Sequence, residues 1–247
     1  MTRPRVSVVI TTYDTGRYLP ETLESVFAQT FPSFEVIVVD DGSTDDSVAR
    51  ARAFGDRVRV VTRPHEGLGP ARNAGIAVST GEHLAFLDSD DLWEPDALRV
   101  QVARADAHPE SGLVVGDGLA FGDGSVDDHR IGRPLFETQT EELFDSADQA
   151  EITGWFHREL AIGNRIACPA QTLLPRRVYD AVGPVCATPN GAQDYDYYLR
   201  VARAHPITFH RARVARWRVR SDSMSGGPDQ RALRIAGQAL EVVARER

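Results

Sequence analysis

The sequence predicts an α/β fold: one domain built on a mixed, mostly parallel central sheet with helices on both faces. Three observations carry that expectation. In the first half of the chain, short β-branched runs alternate with amphipathic stretches at the spacing of βαβ units. The runs are apolar throughout rather than alternating, as strands covered on both faces are. Polar residues then gather where each run ends, and ligands of parallel sheets bind at the carboxyl ends of the strands. At 247 residues, 42% hydrophobic and 26% charged, the chain can bury a core of single-domain size.

Taken in order, residues 6–11 form a β-branched run that ends in Thr11-Thr12-Tyr13-Asp14. After Gly16 comes a stretch with Leu19, Leu23, Val26 and Phe27 on one helical face. Residues 35–39 give a second strand, and Asp40-Asp41-Gly42-Ser43-Thr44-Asp45-Asp46 lead from it into a helix through Val48, Ala49 and Phe54. Residues 58–62 are a third strand, 70–79 a short helix and 83–87 a fourth strand. Pro95 opens a helix with Leu98, Val102 and Ala105 on one face, and residues 113–115 restart a strand that ends in Gly116-Asp117-Gly118.

Regular alternation stops there. Residues 122–133 are rich in Gly and Asp and read as an exposed loop. Across 136–156, acidic residues among Leu143, Phe144, Ile152, Trp155 and Phe156 suggest helices laid against the sheet. Residues 170–174 read as a strand, and 176–182 as a short helix stopped by Gly183-Pro184. A helix is entered through Gln193-Asp194-Tyr195-Asp196, and 214–219 form a last strand. Residues 221–227 form a loop expected to order over a bound ligand, and 232–244 a closing helix.

The composition excludes several classes. A net charge of -8 argues against nucleic-acid binding, which needs a basic face. Two cysteines, Cys168 and Cys186, read as reduced thiols of a cytoplasmic protein. The basic start runs directly into a strand without the apolar segment of a signal peptide, and no apolar run reaches transmembrane length.

The chemistry centres on Leu84-Ala85-Phe86-Leu87-Asp88-Ser89-Asp90-Asp91. Here a buried strand delivers three carboxylates to its end. Such a cluster repels itself and is penalised by desolvation, so it calls for open water or a cation. Hard oxygen ligands in an Asp-x-Asp spacing suit Mg²⁺ or Mn²⁺, which fill their remaining positions with water and phosphate oxygens. A plain alternative is that Asp91 caps the helix after it. Asp40 after the second strand is a turn residue in one reading and an acceptor for a base or ribose in the other. The glycine fingerprint of a dinucleotide site is absent after the first strand, and so is the Leu-x-Gly-Gly-x-Gly-x-Arg loop of many nucleotidyltransferases.

Five segments in order closely resemble the family 2 glycosyltransferases of the GT-A fold. They are Val6-Ser7-Val8-Val9-Ile10-Thr11-Thr12-Tyr13, Val38-Val39-Asp40-Asp41-Gly42-Ser43-Thr44-Asp45, Gly69-Pro70-Ala71-Arg72-Asn73-Ala74-Gly75, Leu87-Asp88-Ser89-Asp90-Asp91 and Gln193-Asp194-Tyr195-Asp196. The resemblance implies a nucleotide-sugar-binding half over 1–118 and an acceptor and catalytic-base half over 119–247. It implies that Thr11, Tyr13 and Asp40 hold the nucleobase, Arg72 lies near base and phosphates, and Asp88 faces ribose or the metal's water. Asp90 would ligate the Mn²⁺ or Mg²⁺ bridging the diphosphate, and Asp194 would be the catalytic base.

Two departures matter. Gln193 stands where the family commonly has Glu, and Arg220 stands where it often has a His. Arg220 cannot ligate a metal but can contact the diphosphate.

The implied activity is inverting, metal-dependent transfer of a sugar from a nucleoside diphosphate sugar, expected to be a UDP-sugar, to a hydroxyl acceptor such as a growing glycan. A nucleotidyltransferase and a nucleotide-sugar-binding module without turnover remain the alternatives. No nucleic-acid partner and no integral membrane segment are expected, and a homodimer is left open.

Overall fold

In a computed structural model of the chain, the described residues are 3–122, 128, 130–136, 140–144, 146, 148–187 and 192–221. The first half follows the expected alternation. Strand β1 (Val6–Thr12) leads to helix α1 (Leu19–Phe27), β2 (Phe34–Asp40), α2 (Ser47–Arg52), β3 (Arg59–Thr62), α3 (Leu68–Val78) and β4 (His83–Asp88). Every residue of β1 is buried, which is why it reads as an unbroken apolar run. Helix α1 turns Leu19, Thr22, Leu23 and Val26 inward at helical spacing, with a Pro at its first turn where a missing N–H does no harm.

The second half comprises β5 (Leu92–Trp93), α4 (Ala97–Ala107), β6 (Leu113–Gly122), β7 (Glu151–Gly154), α5 (His157–Ile162), β8 (Thr172–Pro175), α6 (Arg176–Val182), α7 (Gln193–Ala204) and β9 (Ile207–Val219). The strands form one sheet in the order β3-β2-β1-β4-β8-β6-β9-β5, with β7 on β9. Strands β1 to β4 are mutually parallel, β8 is antiparallel to both neighbours, and β6 and β9 are parallel. One face carries a core with Leu19 and Leu23 of α1, Ala51 of α2 and Leu98 of α4. The other carries Ala71 of α3, Leu160 of α5, Val178 of α6 and Leu199 of α7. Each fully buried Leu contributes roughly 1.5–3 kcal/mol of transfer free energy.

The connection from β4 to β5 forces the sheet to curl. Three strands separate β4 from β5 in the sheet order. A flat sheet would therefore hold them about 19 Å apart, at roughly 4.8 Å per spacing. Four residues of extended chain from Asp88 to Leu92 reach at most about 14 Å. The sheet curls to close that gap, and the acidic turn spans its open end.

Three expectations and one alternative are corrected. The stretch 136–156 holds a short 3-10 turn at Glu141–Leu143 and strand β7, not helices against the sheet. In Glu151-Ile152-Thr153 the polar residues alternate at the strand period, and the first half of β9 offers them an edge. Strand β9 begins at Ile207 rather than 214, and the signal is broken by the buried polar His210 and by Arg211 and Arg213 in mid-strand. Asp91 does not cap the helix, since β5 intervenes and Asp96 holds the N-cap position of α4. The strand that starts at 113 runs through Gly116-Asp117-Gly118 to Gly122, with register shifts at those residues in place of an end. The expected loop over 222–227, the helix over 232–244, and residues 123–127 and 129 of the Gly/Asp-rich loop lie outside the described residues.

Candidate active site

The parallel register sets the site. Thr11 of β1 pairs with Asp88 of β4, and Thr12 pairs with Asp40 of β2, so these residues share one level at the carboxyl end of the sheet. Beyond β1 the chain turns through Asp14, a non-glycine residue at φ 50. Asp is among the residues that tolerate that region. Its carboxylate accepts from the backbone N–H of Thr44 at 2.6 Å and of Asp45 at 3.2 Å, which ties the loop after β1 to the loop after β2. Tyr13 is left 44% exposed beside them. Asp40 is buried and accepts from the N–H of Ser43 at 3.3 Å. The Thr11 hydroxyl is buried without a hydrogen-bond partner among the described residues.

Around the acidic turn, each carboxylate has a different environment. Asp88 accepts from Arg72 Nη2 of α3 at 3.0 Å and keeps 31% of its side chain exposed. Asp90, 15% exposed, accepts from Arg220 Nε at 2.8 Å. Asp91 is buried and accepts from the backbone N–H of Arg218 at 2.8 Å, while its Oδ2 finds no partner among the described residues. Burial raises the Asp90 carboxyl above its usual range, with Arg220 opposing and Asp88 adding to the rise. Asp91 is pushed well up by burial and then by Asp90 and Asp88. The turn backbone is held by the Thr22 hydroxyl of α1, which donates to the carbonyls of Ser89 and Asp91, both at 2.9 Å.

Helix α7 brings Asp194 to the same place. It lies in the first turn and its Oδ1 accepts from the N–H of Tyr195 at 2.8 Å, where the helix dipole favours an anion. Burial raises its carboxyl, and Arg72 is the first influence against that rise. Arg72 is itself buried, and Asp88 followed by Asp194 outweigh the desolvation that would lower its pKa. One guanidinium from α3 thus sits in the field of both the strand carboxylate and the helix carboxylate.

Helix α3 is also held to the segment that follows α6. A Cβ at Gly69 would lie 2.1 Å from the carbonyl oxygen of Cys186, so only glycine permits this approach. The Asn73 side chain donates to the Val185 carbonyl at 2.8 Å and accepts from the Val185 N–H at 3.0 Å. Val185 and Cys186, which follow α6, are thereby held against the helix that carries Arg72.

Residues 7–179 match the family described as glycosyl transferase family 2. The chain belongs to that family. EpsH, a glycosyltransferase of Bacillus subtilis, is 32% identical over 68% of this chain and 52% of its own. A glycosyltransferase of Rickettsia bellii is 26% identical over 90% of this chain and 31% of its own. The chain thus spans between about a third and a half of the length of these curated relatives. Among solved structures, S. aureus TarS 1-349 superposes with a TM-score of 0.70 at 19% identity, covering 98% of this chain and 65% of that one. The mannosyltransferase PcManGT of Pyrobaculum calidifontis, in complex with GDP-Man and Mn²⁺, gives 0.69 at 20% identity, covering 99% and 65%. These likenesses are of fold.

Within this family 2 chain, the sequence-predicted residues fall into two groups at one rim: Thr11, Tyr13 and Asp40 on one side, and Arg72, Asp88, Asp90, Asp194 and Arg220 on the other. Sequence reasoning missed Arg218. Its side chain donates from Nε to the Asp90 carbonyl at 2.7 Å and from Nη2 to Glu21 at 2.6 Å, and stacks over Tyr18 and Phe121 at 4.8 and 4.5 Å. The signal was available, because the strand period puts Arg218 and Arg220 on one face of Trp217-Arg218-Val219-Arg220.

Among the described residues no group of three His, Cys, Asp or Glu side chains is placed to enclose a metal ion. Asp88 and Asp90 fit a hard divalent cation of the kind that takes one or two carboxylates and completes its shell with water and phosphate. The raised Asp90 and Asp91 carboxyls and the unpartnered Asp91 Oδ2 mark a place where positive charge is in deficit.

Proposed function

We propose that this chain carries out inverting transfer of a sugar from a nucleoside diphosphate sugar, with a UDP-sugar as donor, to a hydroxyl acceptor on a growing glycan or small molecule. The observation that carries the reading is the meeting of Asp88 and Asp194 around the single guanidinium of Arg72. It supports the reading of a base beside a diphosphate site.

In this reading residues 1–118 hold the donor. The Tyr13 ring offers a stacking face for the nucleobase, Asp40 accepts its N–H, and the Thr11 hydroxyl supplies a further polar contact. Asp90, with Asp88 in its water shell, would hold Mn²⁺ or Mg²⁺, which supplies Lewis-acid stabilisation of the leaving diphosphate. Arg72 and Arg220 add guanidinium donors to the phosphates, and each is already oriented by a carboxylate.

Asp194 takes the acceptor proton as the hydroxyl attacks the anomeric carbon from the face opposite the diphosphate, which inverts the configuration. A positioned general base contributes roughly 10² to 10⁴-fold. A carboxyl raised by burial is a better proton acceptor than an exposed one, and Arg72 opposes that rise. Transfer therefore follows a rising limb with pH through a pKa above the ordinary carboxylate value.

No described helix is long and apolar enough to cross a membrane. Cys168 is a buried free thiol, which supports a reducing, cytoplasmic setting.

A thermal-shift panel of nucleoside diphosphate sugars with and without Mn²⁺ tests the reading, since a ligand of the folded state raises apparent stability. A cation-dependent shift by one donor, followed by transfer from that donor, is the expected result. Pyrophosphate release from a nucleoside triphosphate and a sugar phosphate would point to nucleotidyl transfer instead.

A further inference from the structure

The loop between β3 and α3 builds a feature that the family motifs leave unassigned. The His65 imidazole lies on the Tyr13 ring with centroids 4.0 Å apart and planes inclined by 25°. Its Nδ1 is 2.9 Å from Asp41 Oδ2 and 3.1 Å from the Asp41 carbonyl. Both neighbours are acceptors, so Nδ1 carries the proton and the ring is fixed in tautomer and direction.

Asp41 is buried and serves as the hub of this loop. It accepts from the N–H of Gly67 at 2.8 Å and of Glu66 at 3.2 Å, and Arg63 Nε lies 3.6 Å away. Gly42 completes the construction. At φ +82, a Cβ there would stand 2.8 Å from the backbone nitrogen of His65, so the loop can approach only a glycine. Asp41 and Gly42 therefore bring the loop in, and the approach lays His65 on Tyr13.

Such a device holds two rings in register while leaving both open to solvent, with Tyr13 44% and the His65 side chain 54% exposed. A stacked pair built only for stability would be covered. The 4.0 Å spacing leaves no room for a third ring between them, so a base must use the surface the pair presents.

We propose that His65 is a base-positioning residue: held by Asp41, it backs Tyr13 and sets the stacking surface for the nucleobase of a nucleoside diphosphate. The inference rests on the glycosyl-transfer reading of this site and adds a residue to it.

The test is titration calorimetry of the full chain with uridine diphosphate, guanosine diphosphate and inorganic pyrophosphate, each with Mn²⁺. His65→Ala is expected to weaken the nucleoside diphosphate that the native chain binds by roughly tenfold, the scale of one aromatic pair. Pyrophosphate binding stays unchanged. His65→Phe, which keeps the ring, restores affinity to within about threefold, and His65→Gln, which keeps only the hydrogen bond to Asp41, does not.

Native affinity in His65→Ala, or a parallel loss of pyrophosphate binding, overturns the inference. Should the alanine variant fail to fold, equal affinities of the Phe and Gln variants overturn it. If Tyr13→Ala loses the nucleotide while His65→Ala keeps it, the functional reading stands and the role of His65 falls. If the native chain binds no nucleoside diphosphate, both fall.

Discussion

Two buried polar clusters in this molecule are solved in opposite ways. Beneath the surface of the second half, Gln101 Nε2 donates to the Gln171 carbonyl at 2.6 Å, Gln171 Nε2 donates to the Gly116 carbonyl at 3.0 Å, and His210 Nε2 lies 3.2 Å from Gln101 Oε1. Gln171 Oε1 accepts from the N–H groups of Ala167 and Cys168 at 2.9 and 3.2 Å. Apart from His210 Nδ1, the groups of this network are paired, and all of them can be neutral. At the rim, by contrast, Asp88, Asp90, Asp91 and Asp194 crowd together with their charges only partly met by Arg72 and Arg220. A neutral, paired cluster ties α4, β6 and β9 together. A charged cluster left in deficit favours a ligand that brings positive charge or gives up a proton.

Variants on the two sides of this comparison should separate stability from activity. The largest effect is expected at Asp194. Asp194→Asn should lower transfer by about 10² to 10⁴-fold with donor affinity little changed, measured as product formed at saturating donor. An N-terminal Asn keeps most of the local helix preference, so its melting midpoint should stay within a few degrees of native. Near-native turnover would move the base elsewhere, with Asp196 the nearest carboxylate on the same helix.

Next comes Asp90→Asn, which keeps shape and an acceptor for Arg220 but gives up the charge. Donor binding should lose its dependence on Mn²⁺, measured by calorimetry with and without chelator, while the fold survives. Unchanged cation dependence would remove Asp90 from the metal site.

The paired cluster should respond the other way. His210→Ala leaves the Gln101 amide oxygen without its partner and opens a void. A destabilisation of about 2 kcal/mol is expected. In a chain of this size that lowers the thermal midpoint by roughly 4–8 °C, with donor affinity intact.

Acid sharpens the same contrast. Burial, with Arg104 adding to it, lowers the His210 pKa from 6.5 to about 3, so the folded protein keeps this ring neutral. The unfolded chain takes up the proton below 6.5 and the folded one does not. The stability due to this group is therefore full above that pH and is lost as pH falls towards about 3. His83 and His205 are shifted down too, each mainly by burial, so the measurement is the difference between native and His210→Gln in denaturant midpoint at about pH 7 and about pH 5. A native protein that loses no more stability than the variant would contradict the assignment.

The smallest effect is at Arg50, which pairs with Asp46 at 2.7 Å on the exposed face of α2. Arg50→Ala should change stability by less than about 0.5 kcal/mol in the same titration.

The two clusters also differ in how far the sequence announced them. Asp40, Asp88 and Asp90 end continuous apolar strands, so their positions follow from local pattern and the rule for parallel sheets. Arg72 and Asp194 were legible only through the family motifs, because nothing local says that α3 and α7 meet. His210 and Gln171 were not legible. Each is a polar residue at a core position, and its partner lies far along the chain, so only the assembled sheet explains it. The same holds for β7, which is a strand by virtue of the edge that β9 offers it, and for the first half of β9, which lies between β6 and β7. His65 fell between these cases: it stands in a loop, where a polar ring has no pattern to break.

The short passage from Asp88 to Leu92, which the curl of the sheet accommodates, has a bearing on how this chain can vary. A loop on the surface usually accepts inserted residues at little expense, since closure entropy grows slowly with length. This turn is different, because its length is one of the dimensions of the sheet. An added residue would let β5 and β9 relax away from β4, loosen the Trp93 Nε1 hydrogen bond to Ala170 at 2.9 Å, and carry Asp90 away from Arg220. Natural variation in length should therefore fall elsewhere, as in the Gly- and Asp-rich stretch after Gly122, while this segment admits changes of side chain but not of residue count.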